Sequence, residues 1–150
     1  MISSFRGAYS FLSNFFHAEV EMDGMSFPTV EHAYQAAKTV SPRQRAMIRE
    51  CSNPGEAKRR GRVVTLRKGW NDERLQVMED LVRQKFSRHA KLRRKLLATG
   101  DEEIEEGNWW GDKFWGVYKG EGENHLGKIL MRVRYEFSQE NDDATRLRRA

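Results

Sequence analysis

Closely spaced helix starts constrain this chain more than any other feature of its sequence. Ser41-Pro42-Arg43-Gln44 has a capping serine, a proline suited to the first turn and a glutamine at the third position. Asn53-Pro54, followed by Glu56, repeats the arrangement a little further on. Thr29, directly after Pro28, is another cap. Together these predict a helix from Thr29 to about Thr39, one from Pro42 to near Cys51, and one from Pro54 that Gly61 closes. A longer helix opens at Asn71 or Asp72, with Leu75, Met78, Leu81, Val82, Lys85 and Phe86 at helical spacing. The pattern continues through Leu92, Leu96 and Leu97 to a stop at Gly100. Asn124 caps a last helix, with Leu126, Ile129, Leu130, Val133 and Phe137 on one face. Only residues 19–27 read as strands: Val20 and Met22 alternate with Glu19 and Glu21, and Asp23-Gly24 supplies the turn. Residues 107–122, rich in glycine and aromatics, read as an ordered loop. The predicted architecture is mainly α, a single compact helical domain over residues 1–138 with a small N-terminal β-hairpin. A charged, flexible tail follows at 139–150.

Composition narrows the class. At 38% hydrophobic and 33% charged residues, the 150-residue chain can form one core inside a solvated shell, which excludes wholesale disorder. No apolar run approaches the ~20 residues of a membrane span, and the first residues lack the apolar core of a signal peptide. Cys51 is the lone cysteine, so no internal disulfide forms and a cytoplasmic location is expected. His17, His32, His89 and His125 have no metal-ligand spacing, and neither a phosphate-binding glycine loop nor a nucleophile elbow is present. The net charge of +5 is clustered, at Lys58, Arg59, Arg60 and Arg62 and again at Arg88, Lys91, Arg93, Arg94 and Lys95. Such a surface favours anionic partners, or else is a solvated helix face.

Three groups of residues could carry chemistry. Glu31, Gln35 and Lys38 are spaced by four and three residues and share one helix face, with Glu31 in the first turn. Glu31 and Lys38 lie two turns apart, so they would converge on a ligand lying across Gln35. The face belongs in a crevice or in water, and spacing does not decide which. The second group is the glycine-punctuated run of residues 108–118, with Trp109, Trp110, Trp115 and Asp112. Its indoles either stack on a flat ring or cover the core. The third is Asn124, a helix cap beside glycines, where an anion site is the alternative.

These residues resemble the NADAR family, the YbiA-like N-glycosidases. The resemblance runs from about Phe5 to Phe137. It is carried by Ser13-Asn14-Phe15, by Asp23-Gly24 with Phe27-Pro28-Thr29, and by Glu31-His32 with Gln35 and Lys38. Downstream it includes Pro54, Ala57, Gly61-Arg62, Trp70, Met78, Lys85-Phe86, Leu97 and Thr99-Gly100. Asp112 with Trp115-Gly116, Asn124 with Leu126-Gly127, Leu130-Met131 and Arg134 complete it.

The resemblance implies a mainly α fold and hydrolysis of the bond between ribose and a nitrogen base or amine on a phosphorylated, nucleotide-like substrate. Members act on ribosylamine intermediates of riboflavin synthesis or remove ADP-ribose from guanine. The family's glutamate corresponds to Glu31, its lysine to Lys38, and its aspartate and tryptophan to Asp112 and Trp115. Glu31 would oppose the positive charge of an oxocarbenium-like transition state. Lys38 would act as an ammonium anchor or as a neutral amine forming a Schiff base with the opened sugar. Asp112 would hold a ribose hydroxyl or polarise the leaving base, and Trp115 would stack on it. Asn14, Gln35, Arg62 and Asn124 are candidate substrate contacts. Tyr118, in the Val117-Tyr118 pair where some relatives have a glycine, would reshape the base pocket. No metal or cofactor is required. The expected partner is a small phosphorylated substrate or ADP-ribosylated DNA or RNA, with no membrane. The alternative is a noncatalytic module that binds nucleotide, ADP-ribose or nucleic acid.

Overall fold

The computed structural model describes residues 1–149 and is mainly α-helical, as the sequence predicts. Two compact units form, one of Ser13–Arg88 and one of Met1–Leu12 with the residues from His89 onward.

In the Ser13–Arg88 unit, β1 (Val20–Met22) and β2 (Met25–Phe27) make an antiparallel hairpin with Val20 opposite Phe27. Asp23 and Gly24 both have positive φ, which suits the tight turn predicted there. Four helices follow: α1 (Val30–Ala37), α2 (Pro42–Arg49), α3 (Pro54–Arg60) and α4 (Trp70–Arg88). Helix α1 packs against α2, α3, α4 and the hairpin, and all eight of its residues are buried. Ala33, Ala36 and Ala37 are fully buried, and side chains this small let the neighbouring elements come close. All three predicted caps form. Thr29 accepts from His32 N–H at 3.0 Å, Ser41 from Gln44 at 3.2 Å and Asn53 from Glu56 at 2.8 Å. The return halves of the capping boxes differ. Gln44 Oε1 accepts instead from Thr65 N–H and the Thr39 hydroxyl, and Glu56 accepts from Ser52. With helices this short, those acceptors serve the adjoining turns. Helix α4 begins at Trp70, just before the expected start, and the buried Trp70 indole meets the Tyr34 ring at 5.3 Å in a tilted arrangement.

The other unit contains a 3-10 turn (Gly7–Leu12), α5 (Ala90–Ala98) and α6 (His125–Arg149), with α6 packed along α5. Leu92 and Leu96 of α5, and Leu126, Ile129, Leu130, Val133 and Phe137 of α6, are buried. Residues 107–122 are not wholly loop. β3 (Gly107–Asn108) and β4 (Val117–Tyr118) pair in parallel, but two-residue strands are too short to leave an alternating pattern. Helix α6 also runs past Phe137 to Arg149. Residues 139–149 contain neither glycine nor proline, Arg146 pairs with Asp143 at 3.2 Å, and the closing arginines suit a helix C-terminus. The part of the expected tail at Ala150 lies outside the described residues. Among the described residues, no helix is long and apolar enough to cross a membrane.

Candidate active site

Helix α1 carries the predicted Glu31–Gln35–Lys38 face, and the structure answers the question that spacing left open. Glu31 and Gln35 are buried rather than solvated, at 7% and 4% exposure. Gln35 Nε2 donates to Glu31 Oε1 at 2.8 Å. Asn14, itself buried, lies at the start of the same helix. Its carbonyl accepts the Glu31 N–H at 3.1 Å, satisfying one of the amides that a first turn leaves open, and its side chain donates to Met78 Sδ at 3.3 Å.

Lys38 caps the other end of α1, and its carbonyl accepts Arg67 N–H at 2.7 Å. Its Nζ lies 5.8 Å from the centre of the Tyr34 ring. Burial holds its pKa below the ordinary lysine value. The Glu31 carboxylate opposes that shift, while Arg62, Lys58 and Arg74 reinforce it. The result is a partly buried amine under the opposing influence of one carboxylate and three cations. That arrangement suits a nucleophile or Schiff-base former and also holds positive charge for an anionic substrate.

His32, next to Glu31, is structural. Its Nε2 is 3.1 Å from the Cys51 carbonyl, which only accepts, so Nε2 carries the proton. Nδ1 then accepts the Thr29 hydroxyl at 2.7 Å. Burial of the Cys51 thiol raises its pKa, the opposite of an activated nucleophile. A cleft of about 420 Å³ along α2 and α3 is lined by Arg43, Met47, Glu50, Cys51, Glu56 and Arg60. None of the predicted site residues lines it.

Two residues escaped the sequence reading of the site. Lys85 is 1% exposed and donates to the Ser13 carbonyl at 2.9 Å, between the Phe16 and Phe86 rings. Its place in the apolar stripe of α4 was the available signal. Gly61 appears in the sequence as a helix end and within the family resemblance, with no role at the site attached to it. Its φ of −60° is ordinary helix, so closing α3 does not require a glycine.

The other unit positions the second predicted group. Asp112 Oδ1 accepts from the backbone N–H groups of Phe114 at 3.0 Å and Trp115 at 2.8 Å. Asn108 brackets Asp112, accepting its N–H and donating to its carbonyl. Asp112 therefore shapes the turn that presents Trp115, whose half-buried ring meets Phe114 edge-on at 4.9 Å. A Cβ on Gly116 would lie 1.8 Å from the Glu106 carboxylate, so the glycine after Trp115 gives that turn its close packing. Trp109 and Trp110 are exposed and do not cover the core. Tyr118 is half-buried in β4, and its N–H bonds the Glu121 carbonyl.

Asn124 corrects the sequence reading of its role. It occupies the cap position of α6 with a positive φ, but its side-chain amide bonds other parts of the chain. Oδ1 accepts Glu106 N–H at 3.0 Å and Nδ2 donates to the Ile104 carbonyl at 2.9 Å, so its amide ties down the chain ahead of β3. In the second basic cluster, Arg93 lies over the Phe137 ring and Lys95 over Phe11. Among the described residues, no three His, Cys, Asp or Glu side chains are grouped as a metal site.

Comparison with known proteins places this geometry among relatives. The NADAR domain family matches residues 4–138. The N-glycosidase YbiA of Escherichia coli (strain K12) is 40% identical over 138 residues, covering 88% of this chain and 84% of that protein. The riboflavin biosynthesis protein VVA0006 of Vibrio vulnificus (strain YJ016) is 37% identical over 134 residues, 87% of this chain but 36% of that longer protein. The solution NMR structure of E. coli YbiA superposes with a TM-score of 0.80 at 37% identity, covering 94% of this chain and 89% of the other.

Proposed function

The chain belongs to the NADAR domain family, and from that premise we propose that it is an N-glycosidase, a hydrolase of the bond between a ribose carbon and a nitrogen. One observation carries the reading: a buried carboxylate, Glu31, and an amine of depressed pKa, Lys38, stand at the two ends of one short buried helix. A binding module has no need for an amine whose pKa burial lowers.

In the proposed reaction, neutral Lys38 attacks the anomeric carbon. The carbon–nitrogen bond to the leaving group breaks, and that nitrogen takes a proton. Glu31 opposes the positive charge that builds on the sugar and receives the proton released from the attacking amine. The ribosyl–lysine adduct opens its ring to an iminium as the ring oxygen is protonated. Water then adds to the carbon and releases the lysine, so that one water is consumed in all. Trp115 offers an aromatic face for a base, and Asp112 supports it by holding the turn. Asn14 and Gln35 act by holding Glu31.

The favoured substrate is a phosphorylated ribosylamine. Two things support it: the riboflavin-biosynthesis name of the longer relative, and the Arg62, Lys58 and Arg74 charges around Lys38. The test is hydrolysis of a phosphoribosylamine and of an ADP-ribosylated guanine oligonucleotide by wild type, Glu31→Gln and Lys38→Arg. Glu31→Gln is expected to bind but turn over at least ~10²-fold slower. Lys38→Arg is expected to be nearly inactive, with borohydride trapping a sugar adduct on wild type alone. Full activity in Glu31→Gln would sink the site assignment. An active Lys38→Arg without an adduct would leave Lys38 as an electrostatic anchor. Hydrolysis of the oligonucleotide alone would move the substrate to ADP-ribosylated guanine.

A further inference from the structure

We infer that Gly61 is a positioning residue for this reaction: because it has no side chain, Gln35 has the room to hold the Glu31 carboxylate. The inference rests on the reading of Glu31 as the catalytic carboxylate. Gly61 is buried at the end of α3 with φ −60° and ψ −19°, values open to any residue, so its backbone does not demand glycine. Space does. A Cβ there would lie 1.9 Å from Gln35 Oε1, 2.7 Å from its Cδ and 3.1 Å from its Cβ.

The direction of the Gln35 amide follows from chemistry. A carboxylate only accepts, so the NH2 group must face Glu31, at 2.8 Å, and the carbonyl oxygen must face Gly61. That oxygen is buried and meets no hydrogen-bond donor among the described residues. An unpaired buried carbonyl opposes folding, so the amide is not placed for its own satisfaction. Glu31 fixes one end and the empty space at residue 61 fixes the other. A methyl group at 61 could not be relieved by turning the amide, because Cδ is also too close. The Gln35 side chain would have to leave its rotamer, and Glu31 would lose its donor.

The experiment is a double-mutant cycle with Gly61→Ala and Gln35→Ala. It reads Tm, kcat and KM on the phosphoribosylamine, and the 13C carboxyl resonance of Glu31. Gly61→Ala is expected to lower Tm in the Gln35 background but far less beside Ala at 35, where the 1.9 and 2.7 Å approaches are gone. Each single change should lower kcat by about tenfold or more with little change in KM, and the double should fall no further than Gln35→Ala. The Glu31 resonance should move in both single variants. Unchanged kcat and an unmoved resonance in Gly61→Ala, with only Tm reduced, would reduce Gly61 to a packing residue. Multiplying effects on kcat would also overturn the inference. If Gly61→Ala fails to fold, the double variant decides. A folded double with the kcat of Gln35→Ala upholds the inference, and an unfolded double overturns it. If wild type hydrolyses no N-glycoside, the proposed function fails, while the Tm cycle and the Glu31 resonance still report on the Gly61–Gln35–Glu31 linkage.

Discussion

Lys85 gives the sharpest test of how this core is balanced. It is almost wholly buried, and burial takes its pKa from 10.5 to about 7. The unfolded chain keeps that proton up to pH 10.5, whereas the folded protein releases it above about 7. Between those values the unfolded state binds more protons, so Lys85 makes stability rise with pH, by about 1.4 kcal/mol per pH unit. The penalty is fully present below pH 7, and across the window it amounts to roughly 4–5 kcal/mol. Lys85→Met places an apolar side chain of similar length between Phe16 and Phe86 and removes the titration. It also removes the donor to the Ser13 carbonyl, a loss of about 1–3 kcal/mol that does not vary with pH. Urea unfolding of both proteins at about pH 7.5, 8.5 and 9.5 reads the difference, in which shared contributions from Lys38 and Cys51 cancel. Wild type should gain roughly 2–3 kcal/mol on the variant over those two pH units. Parallel stability curves would refute the reasoning, because they would mean that Lys85 stays charged in the folded protein.

The depressed pKa of Lys38 sets the pH profile of an amine nucleophile: kcat/KM should rise with pH and level off below the ordinary lysine range. A plateau reached only at the ordinary lysine value would contradict the burial effect. Trp115→Ala should weaken substrate binding by about 1–3 kcal/mol, the scale of base–aromatic stacking, with the fold intact by circular dichroism. Failure of that variant to fold would make the indole a core residue.

Much of this molecule is legible in its sequence because the signals are local. Thr29, Ser41 and Asn53 cap the helices they precede, and each bond spans only three residues. The shared face of Glu31, Gln35 and Lys38 follows from helical spacing, but its burial does not. That depends on α2, α3, α4 and the hairpin closing around α1, which no local pattern records. The role of Gly61 was hidden for the same reason, since the atom it makes room for belongs to another helix. Asn124 misled because two acceptable uses exist for an asparagine before a helix, and the close approach of residues 104–106 selects the second. Lys85 was placed correctly on the buried stripe of α4, yet a lysine within an apolar run gives no sign of which carbonyl it will meet.

Helix α1 concentrates the features that oppose folding: a buried carboxylate, an amide oxygen with no donor among the described residues, and a lysine whose pKa burial lowers. With eight residues it has little stability of its own and must be anchored from outside. His32 is the main anchor. Its Nε2–H holds the Cys51 carbonyl after α2, and its Nδ1 holds the Thr29 cap. The Nδ1 bond needs the neutral ring with its proton on Nε2, whereas the Nε2 bond survives protonation. Burial favours that form by lowering the pKa below 6.5. As pH falls through 6.5 the unfolded chain takes up the proton first, so stability declines with acid until the folded pKa is passed. The acid limb of activity should then contain a contribution from loosening of α1 as well as from ionisation at the site. Hydrogen exchange of the α1 amides at pH 7.5 and about 5.5, measured beside kcat, separates the two. The amides are expected to lose protection at the lower pH. Unchanged protection, with activity already falling, would assign the acid limb to ionisation at the site alone and remove His32 from it.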